Sequence, residues 1–238
     1  MKLNRTLILC LFCIAILSGL SGDTKTQVIE SKVLESWDTD EGGWEVYGAE
    51  GIAEGYPKVV YAPSWPTARF GANPEDKDMK SLGIKAAFDW KGNNRLEIVP
   101  VKKDAEGKSV PREIEIPGRV QSFDVWVWGS NYNFDLEVHL MDYMGFTHVL
   151  SFGNLKFTGW KHLSVHVPNA IPQARGHIPA FRGLKLTKLV LWTKPAEDVS
   201  GFYIYLDHLS ILTDMFESPF DGVEMTRPEY LEEVWGEK

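Results

Sequence analysis

Polar and apolar residues alternate with a period of two through much of this chain. Leu136, Val138 and Leu140 alternate with Asp135, Glu137 and His139. Leu163, Val165 and Val167 alternate with His162, Ser164 and His166, and Ile114 and Ile116 alternate with Glu113 and Glu115. A strand points successive side chains to opposite faces, so each stretch has one buried face and one wet face. Turn residues recur at intervals of roughly eight to twelve positions, the spacing of a sandwich or barrel. The pattern predicts strands at Val33–Trp37, Trp44–Tyr47, Lys58–Tyr61, Ile84–Trp90, Arg95–Val99 and Arg112–Ile116. Further strands are predicted at Val120–Trp128, Phe134–Tyr143, Thr147–Phe152, His162–Val167, Lys185–Trp192 and Phe202–Leu212. The fold expected is all-β, a jelly-roll-like antiparallel β-sandwich built mainly from residues 80–215, with residues 24–60 adding edge strands.

Two runs break the alternation. Val125–Trp128 and Leu189–Trp192 are apolar at every position. A strand that is apolar throughout must cover both faces, whereas an antiparallel sheet normally leaves one face to water. The second face is therefore expected to meet another protein, through Trp126, Trp128, Tyr132, Leu189, Leu191 and Trp192. The plainer reading divides Trp126 and Trp128 between the core and a covering loop. Trp160 sits between a Gly turn and a strand and is expected to plug one end of the sandwich. Pro63–Lys80 and Asp104–Ser109 read as an exposed loop and a polar turn, and Asn169–Gly183 as a long connection.

The ends read differently. Lys2 and Arg5 precede an apolar run, Thr6–Leu17, and small residues follow, so residues 1–21 read as a secretory signal. Cys10 and Cys13 lie inside the apolar run and neither follows a lipobox. Cleavage after Ser21 leaves a chain without cysteine in a compartment that permits disulfides. Residues 22–216 are then a single domain. Residues 217–238 form an acidic tail with seven acids and two bases, read as solvated or as an arm that docks on a neighbour.

Charge narrows the partners. The formal charge is −8, and losing Lys2 and Arg5 with the signal takes it to −10. Nucleic acid and anionic lipid both need a basic footprint, so neither is an expected partner. Nine Trp and 12% aromatic residues suit either a protein interface or a sugar-binding face.

Catalytic signatures are lacking. There is no HExxH, no GxSxG elbow and no glycine-rich phosphate loop. His139, His162 and His166 fall on the polar phase of strands and read as surface or subunit-contact residues. No enzyme activity and no organic cofactor are expected. Glu35, near the mature start, and Asp207, in the last strand, resemble the edge carboxylates that hold a structural calcium in carbohydrate-binding jelly rolls. Here His208 follows Asp207 where many such modules have a second Asp. Calcium needs several oxygen ligands, and this pair supplies a start.

Several motifs then fall in a distinctive order. They are WGSNYNFDLEVHLMDYMG at Trp128–Gly145, GNLKFTGWKHL at Gly153–Leu163, IPQ at Ile171–Gln173, GLKL at Gly183–Leu186, LWTKP at Leu191–Pro195 and FYIYLDHLSILTDMFESPFDG at Phe202–Gly222. Together they resemble the flagellar filament outer-layer (sheath) protein family of spirochaetes, FlaA, over Val125–Gly222. The resemblance implies a non-enzymatic structural protein of the periplasmic flagellum, present in many copies. Its partners would be the flagellin core and other sheath proteins, and it would affect filament stiffness, curvature and motility. The alternative is a secreted carbohydrate-binding module of the same sandwich fold, which would gather two or three aromatic rings in one groove beside polar groups.

Overall fold

The computed structural model describes residues 28–39, 43–75, 78–173, 183–215, 232 and 234–236. Residues 1–21, read above as a signal and holding Cys10 and Cys13, most of the acidic tail and most of the Asn169–Gly183 connection lie outside these residues. The chain divides into two units, Ile29–Met215 and a second made of Met1–Val28 with Phe216–Lys238. In the second, Glu232, Val234 and Trp235 are helical and exposed.

The first unit is an antiparallel β-sandwich. Its strands are β1 (Ile29–Glu35), β2 (Trp44–Gly48), β3 (Lys58–Ala62), β4 (Ser81–Ala86), β5 (Arg95–Lys103), β6 (Ser109–Pro111) and β7 (Ile114–Glu115). They continue with β8 (Arg119–Ser130), β9 (Asp135–Met141), β10 (Thr147–Asn154), β11 (Thr158–His166), β12 (Lys185–Trp192) and β13 (Phe202–Asp214). The first sheet has six strands in the order β11-β8-β13-β4-β3, with β1 also on β13. The second has seven in the order β10-β9-β12-β5-β2, with β6 on β5 and β7 on β12.

The core lies between the inner faces. Phe123, Val125 and Val127 of β8 and Phe202, Ile204 and Leu206 of β13 face it from the first sheet. Leu96 and Ile98 of β5, Leu136, Val138 and Leu140 of β9, and Leu189 and Leu191 of β12 face it from the second. Burying each such side chain contributes about 1.5–3 kcal/mol.

Some expected elements move. The first strand ends at Glu35, because Trp37 takes a positive φ of 58° and turns its ring into the core at 0% exposure. The ring lies 5.4 Å from that of Trp44. Arg112–Ile116 is two short strands, since β6 pairs with β5 and β7 with β12. The Pro63–Lys80 loop contains one helical turn, Thr67–Phe70.

Two devices shape the first sheet. The β8–β13 register shifts between Asp207 and Ser210, and His208 there has φ 50°. A bulge of this kind bends a strand. At this bend β13 changes neighbour, from β4 alongside Phe202–Leu206 to β1 alongside Leu209–Asp214. The second device is Gln173, of the IPQ motif. Val120 N–H donates to Gln173 Oε1 at 2.8 Å, and Gln173 Nε2 donates to Val120 O at 2.9 Å. The buried side-chain amide pairs with β8 as a strand would, where β11 has ended.

Candidate interaction surface

On β8 the residues between the core positions point outward: Asp124, Trp126 and Trp128 are all half-buried. Trp126 pairs across the ladder with His162 of β11 and Asp207 of β13, and Trp128 pairs with Trp160 and Tyr205. Tyr205 pairs in turn with Gly83, and Gly83 with Val60. The result is an aromatic face across the outside of the first sheet. Its rings pack on one another. Trp128 stacks on Tyr203 at 5.6 Å and meets Tyr205 edge-on at 5.7 Å, and Trp126 lies 5.2 Å from the His162 ring. Tyr203 is 40% exposed and Val60 is 55% exposed.

The face has a polar border and a groove. Asp124 Oδ1 accepts from Ser210 Oγ at 2.6 Å and lies 2.8 Å from His162 Nε2. At the other side a groove of about 370 Å³ runs past Tyr203, Tyr205, Gly83, Val60, Lys58 and Lys85. Gly83 makes it. A Cβ there would lie 2.8 Å from the Tyr205 ring and 2.9 Å from Val60 Cγ2.

The expected contact residues do not form one surface. Trp126 and Trp128 belong to the aromatic face. Leu189 and Leu191 are 0% exposed and point into the core, so they cannot meet a partner. Tyr132 packs inward, its ring stacked on Phe134 at 5.2 Å and its hydroxyl donating to Gly201 O at 3.1 Å. Trp192 lies on the outer face of the second sheet, among Glu137, His139, Lys188 and Glu97. Lys188 Nζ pairs with Glu97 at 2.9 Å there, so that face carries its own ion pairs. Trp160 does not plug the end of the sandwich; it is half-buried on the aromatic face opposite Trp128. Tyr203 and Tyr205 escaped the sequence reading although their run, Phe202–Leu206, is apolar or aromatic at each position.

Glu35 and Asp207 have separate surroundings. Glu35 accepts from Trp37 N at 3.2 Å and from Trp44 Nε1 at 2.9 Å, and Arg112 approaches at 3.8 Å. Asp207 is buried beside a pocket lined by Asp38, Phe70, Met79 and His208. Burial, reinforced by the charge of Asp38, pushes its carboxyl up to about 8, so it is mostly protonated at neutral pH. Burial pushes His208 the other way. Among the described residues no group of three or more His, Cys, Asp or Glu side chains is arranged to hold a metal ion.

Over residues 66–221 the sequence matches the flagellar filament outer layer protein family, FlaA. The match begins well before Val125, where the recognisable motifs start. A flagellar filament outer layer-like protein of Brachyspira hyodysenteriae is 30% identical over 106 residues, 44% of this chain and 49% of that one. The chain thus spans about half the length of this curated relative. Among solved structures, a carbohydrate-binding module of the β-sandwich superfamily is 13% identical with a TM-score of 0.45, over 71% of this chain and 56% of that one. The family 11 carbohydrate-binding module of a Clostridium thermocellum cellulase is 8% identical with a TM-score of 0.42, over 78% and 96%. At these scores neither likeness bears on function.

Proposed function

Because the chain belongs to the FlaA family of flagellar filament outer layer proteins, we propose that it is a non-enzymatic subunit of the sheath around a periplasmic flagellar filament. Many copies coat the flagellin core, alongside other sheath proteins, and contribute to stiffness, curvature and motility. Residues 1–21 direct export, and the mature chain meets the filament in the periplasm.

The observation that carries this reading is the aromatic face of the first sheet. Trp126 and Trp128 occupy successive outward positions of β8 and Trp160 of β11 lies directly opposite Trp128, all three half-buried rather than in the core. Apolar area removed from water contributes roughly 25 cal/mol per Å², and aromatic residues are enriched where proteins meet. A broad face of this kind holds a subunit weakly, and repetition along a filament makes weak contacts sufficient. A sugar site would set amide and carboxyl groups beside the rings. The charged residues lining the groove here are Lys58 and Lys85, and the Asp124 carboxyl on the same face is already engaged by Ser210 and His162.

The test uses cells lacking the wild-type gene. Trp126→Ala and Trp128→Ala chains, shown to be folded and exported, are expressed there and the periplasmic filaments purified. The wild type should appear in the filament fraction and both variants should be depleted. Variants that coat filaments at wild-type level place the contact elsewhere, and a wild type absent from filaments ends the reading.

A further inference from the structure

Lys58 and Lys85 are direct cross-strand partners in the β3–β4 ladder, and Tyr203 is the next residue in the same row. Both lysines are exposed. Like charges directly opposite each other destabilise a sheet. Among the described residues neither lysine has an acidic partner; the Lys58 ammonium lies over the Tyr56 ring at 5.3 Å. The pair borders the groove whose apolar part is Val60, Gly83, Tyr203 and Tyr205. In a chain of formal charge −8, this is a small cationic site with aromatic walls.

The chain also carries a segment of complementary chemistry. Residues 217–238 hold seven acids and two bases together with Phe220, Tyr230 and Trp235. Glu229, Glu232 and Glu233 are interleaved with Tyr230 and Trp235. Val234 is 53% and Trp235 71% exposed.

In a sheath of repeated copies the occupant is a neighbour's tail. The groove lies at the Tyr203 end of β13, and the tail follows the Asp214 end. At about 3.4 Å per residue the two ends are roughly 37 Å apart. The groove of one copy and the tail of another are different patches, so their contact is heterologous and extends along a line when its rotation does not close into a ring. We propose that the acidic tail of one copy docks in the Lys58–Lys85 groove of the next. This deepens the sheath reading and rests on it. The carboxylates relieve the lysine pair, and an aromatic ring of the tail packs on Tyr203 and Tyr205 above Gly83. The charged part of the contact weakens with salt.

The experiment uses three full-length mature proteins in sedimentation velocity, each checked for fold by circular dichroism. They are the wild type, a groove variant (Lys58→Glu with Lys85→Glu) and a tail variant (Glu229→Lys, Glu232→Lys and Glu233→Lys). The wild type should self-associate and dissociate as salt is raised. Either variant alone should associate about tenfold or more weakly, as expected for loss of charge complementarity. An equimolar mixture of the two should associate again, because each tail then meets a groove of opposite charge. A monomeric wild type, a groove variant that associates normally, or a mixture of folded variants that stays monomeric overturns the proposal. Filament purification separates this failure from that of the sheath reading. A subunit that coats filaments without tail docking refutes the groove alone, and a subunit absent from filaments refutes both.

Discussion

Trp192 Nε1 donates to Glu137 Oε2 at 2.8 Å. The bond ties the last residue of an apolar run to the polar face of the second sheet, the side away from the aromatic face. Trp192→Phe removes the donor and should cost about 0.5–1.5 kcal/mol. Thermal unfolding measures that loss, and filament retention should stay at wild-type level while Trp128→Ala falls. Equal depletion of both variants would mean that both sheets contact the filament.

Leu189 and Leu191 are core residues, and their variants should fail through stability. Leu189→Ala or Leu191→Ala should cost about 2–5 kcal/mol through the cavity left behind. The denaturant midpoint should drop, and the folded fraction should still bind filaments. Retained stability with lost binding would reverse the assignment.

Gln173→Ala removes both partners of the Val120 backbone. A buried polar group left unpaired costs about 1–3 kcal/mol, and here a donor and an acceptor lose partners together. Gln173→Glu should be intermediate, since a carboxylate still accepts from Val120 N–H but no longer donates to Val120 O. Hydrogen exchange at the Val120 amide should accelerate in Gln173→Ala. Unchanged protection would show that β8 holds this end without the clamp.

Asp207 makes stability depend on pH in an unusual direction. Its folded carboxyl is raised to about 8 from the ordinary 3.8. A group held protonated in the fold contributes stability that is fully present below the unfolded value and lost as pH rises through the folded one. Its contribution should therefore be greatest below pH 4 and decline between pH 4 and 8, by up to about 1.4 kcal/mol per pH unit for one proton. Asp207→Asn should flatten that decline in denaturant titrations. A variant that keeps the full slope would place the titrating group elsewhere.

Gly83→Ala should displace the Tyr205 ring, since the new Cβ would sit 2.8 Å from it. Overpacking of this kind costs about 1–3 kcal/mol. Self-association should fall along with stability. A variant as stable and as associative as the wild type would show that the ring yields freely and that the groove is unused.

The sheets were legible wherever one phase of the alternation was polar. Leu136, Val138 and Leu140 face the core as read, with Glu137 and His139 outside. In Val125–Trp128 and Leu189–Trp192 both phases are apolar, and a period of two cannot then say which side is inward. Val125 and Val127 went in and the two tryptophans out, while Val190 is buried on the outer side between the glutamates Glu97 and Glu137. The lysine pair was illegible for another reason. Nothing local aligns Lys58 with Lys85; that register comes from strands joined by a long loop. Likewise, whether Arg112–Ile116 is one strand or two depends on partners far away in the chain.

A pull along β13 meets the sandwich at its most resistant angle. Antiparallel hydrogen bonds lie perpendicular to their strands, so tension applied at Met215 along the strand loads the ladders in shear. β8 flanks β13 on one side, and β4 and β1 follow each other on the opposite side. Rows on both sides share that load and must fail together, whereas a sideways pull opens them one at a time. Single-molecule extension between Ser130 and Met215 should thus need more force than extension between Arg119 and Met215, whose strand ends lie together. A subunit tethered to its neighbour through the end of β13 would stretch as a stiff spring when the filament bends, and would not peel apart.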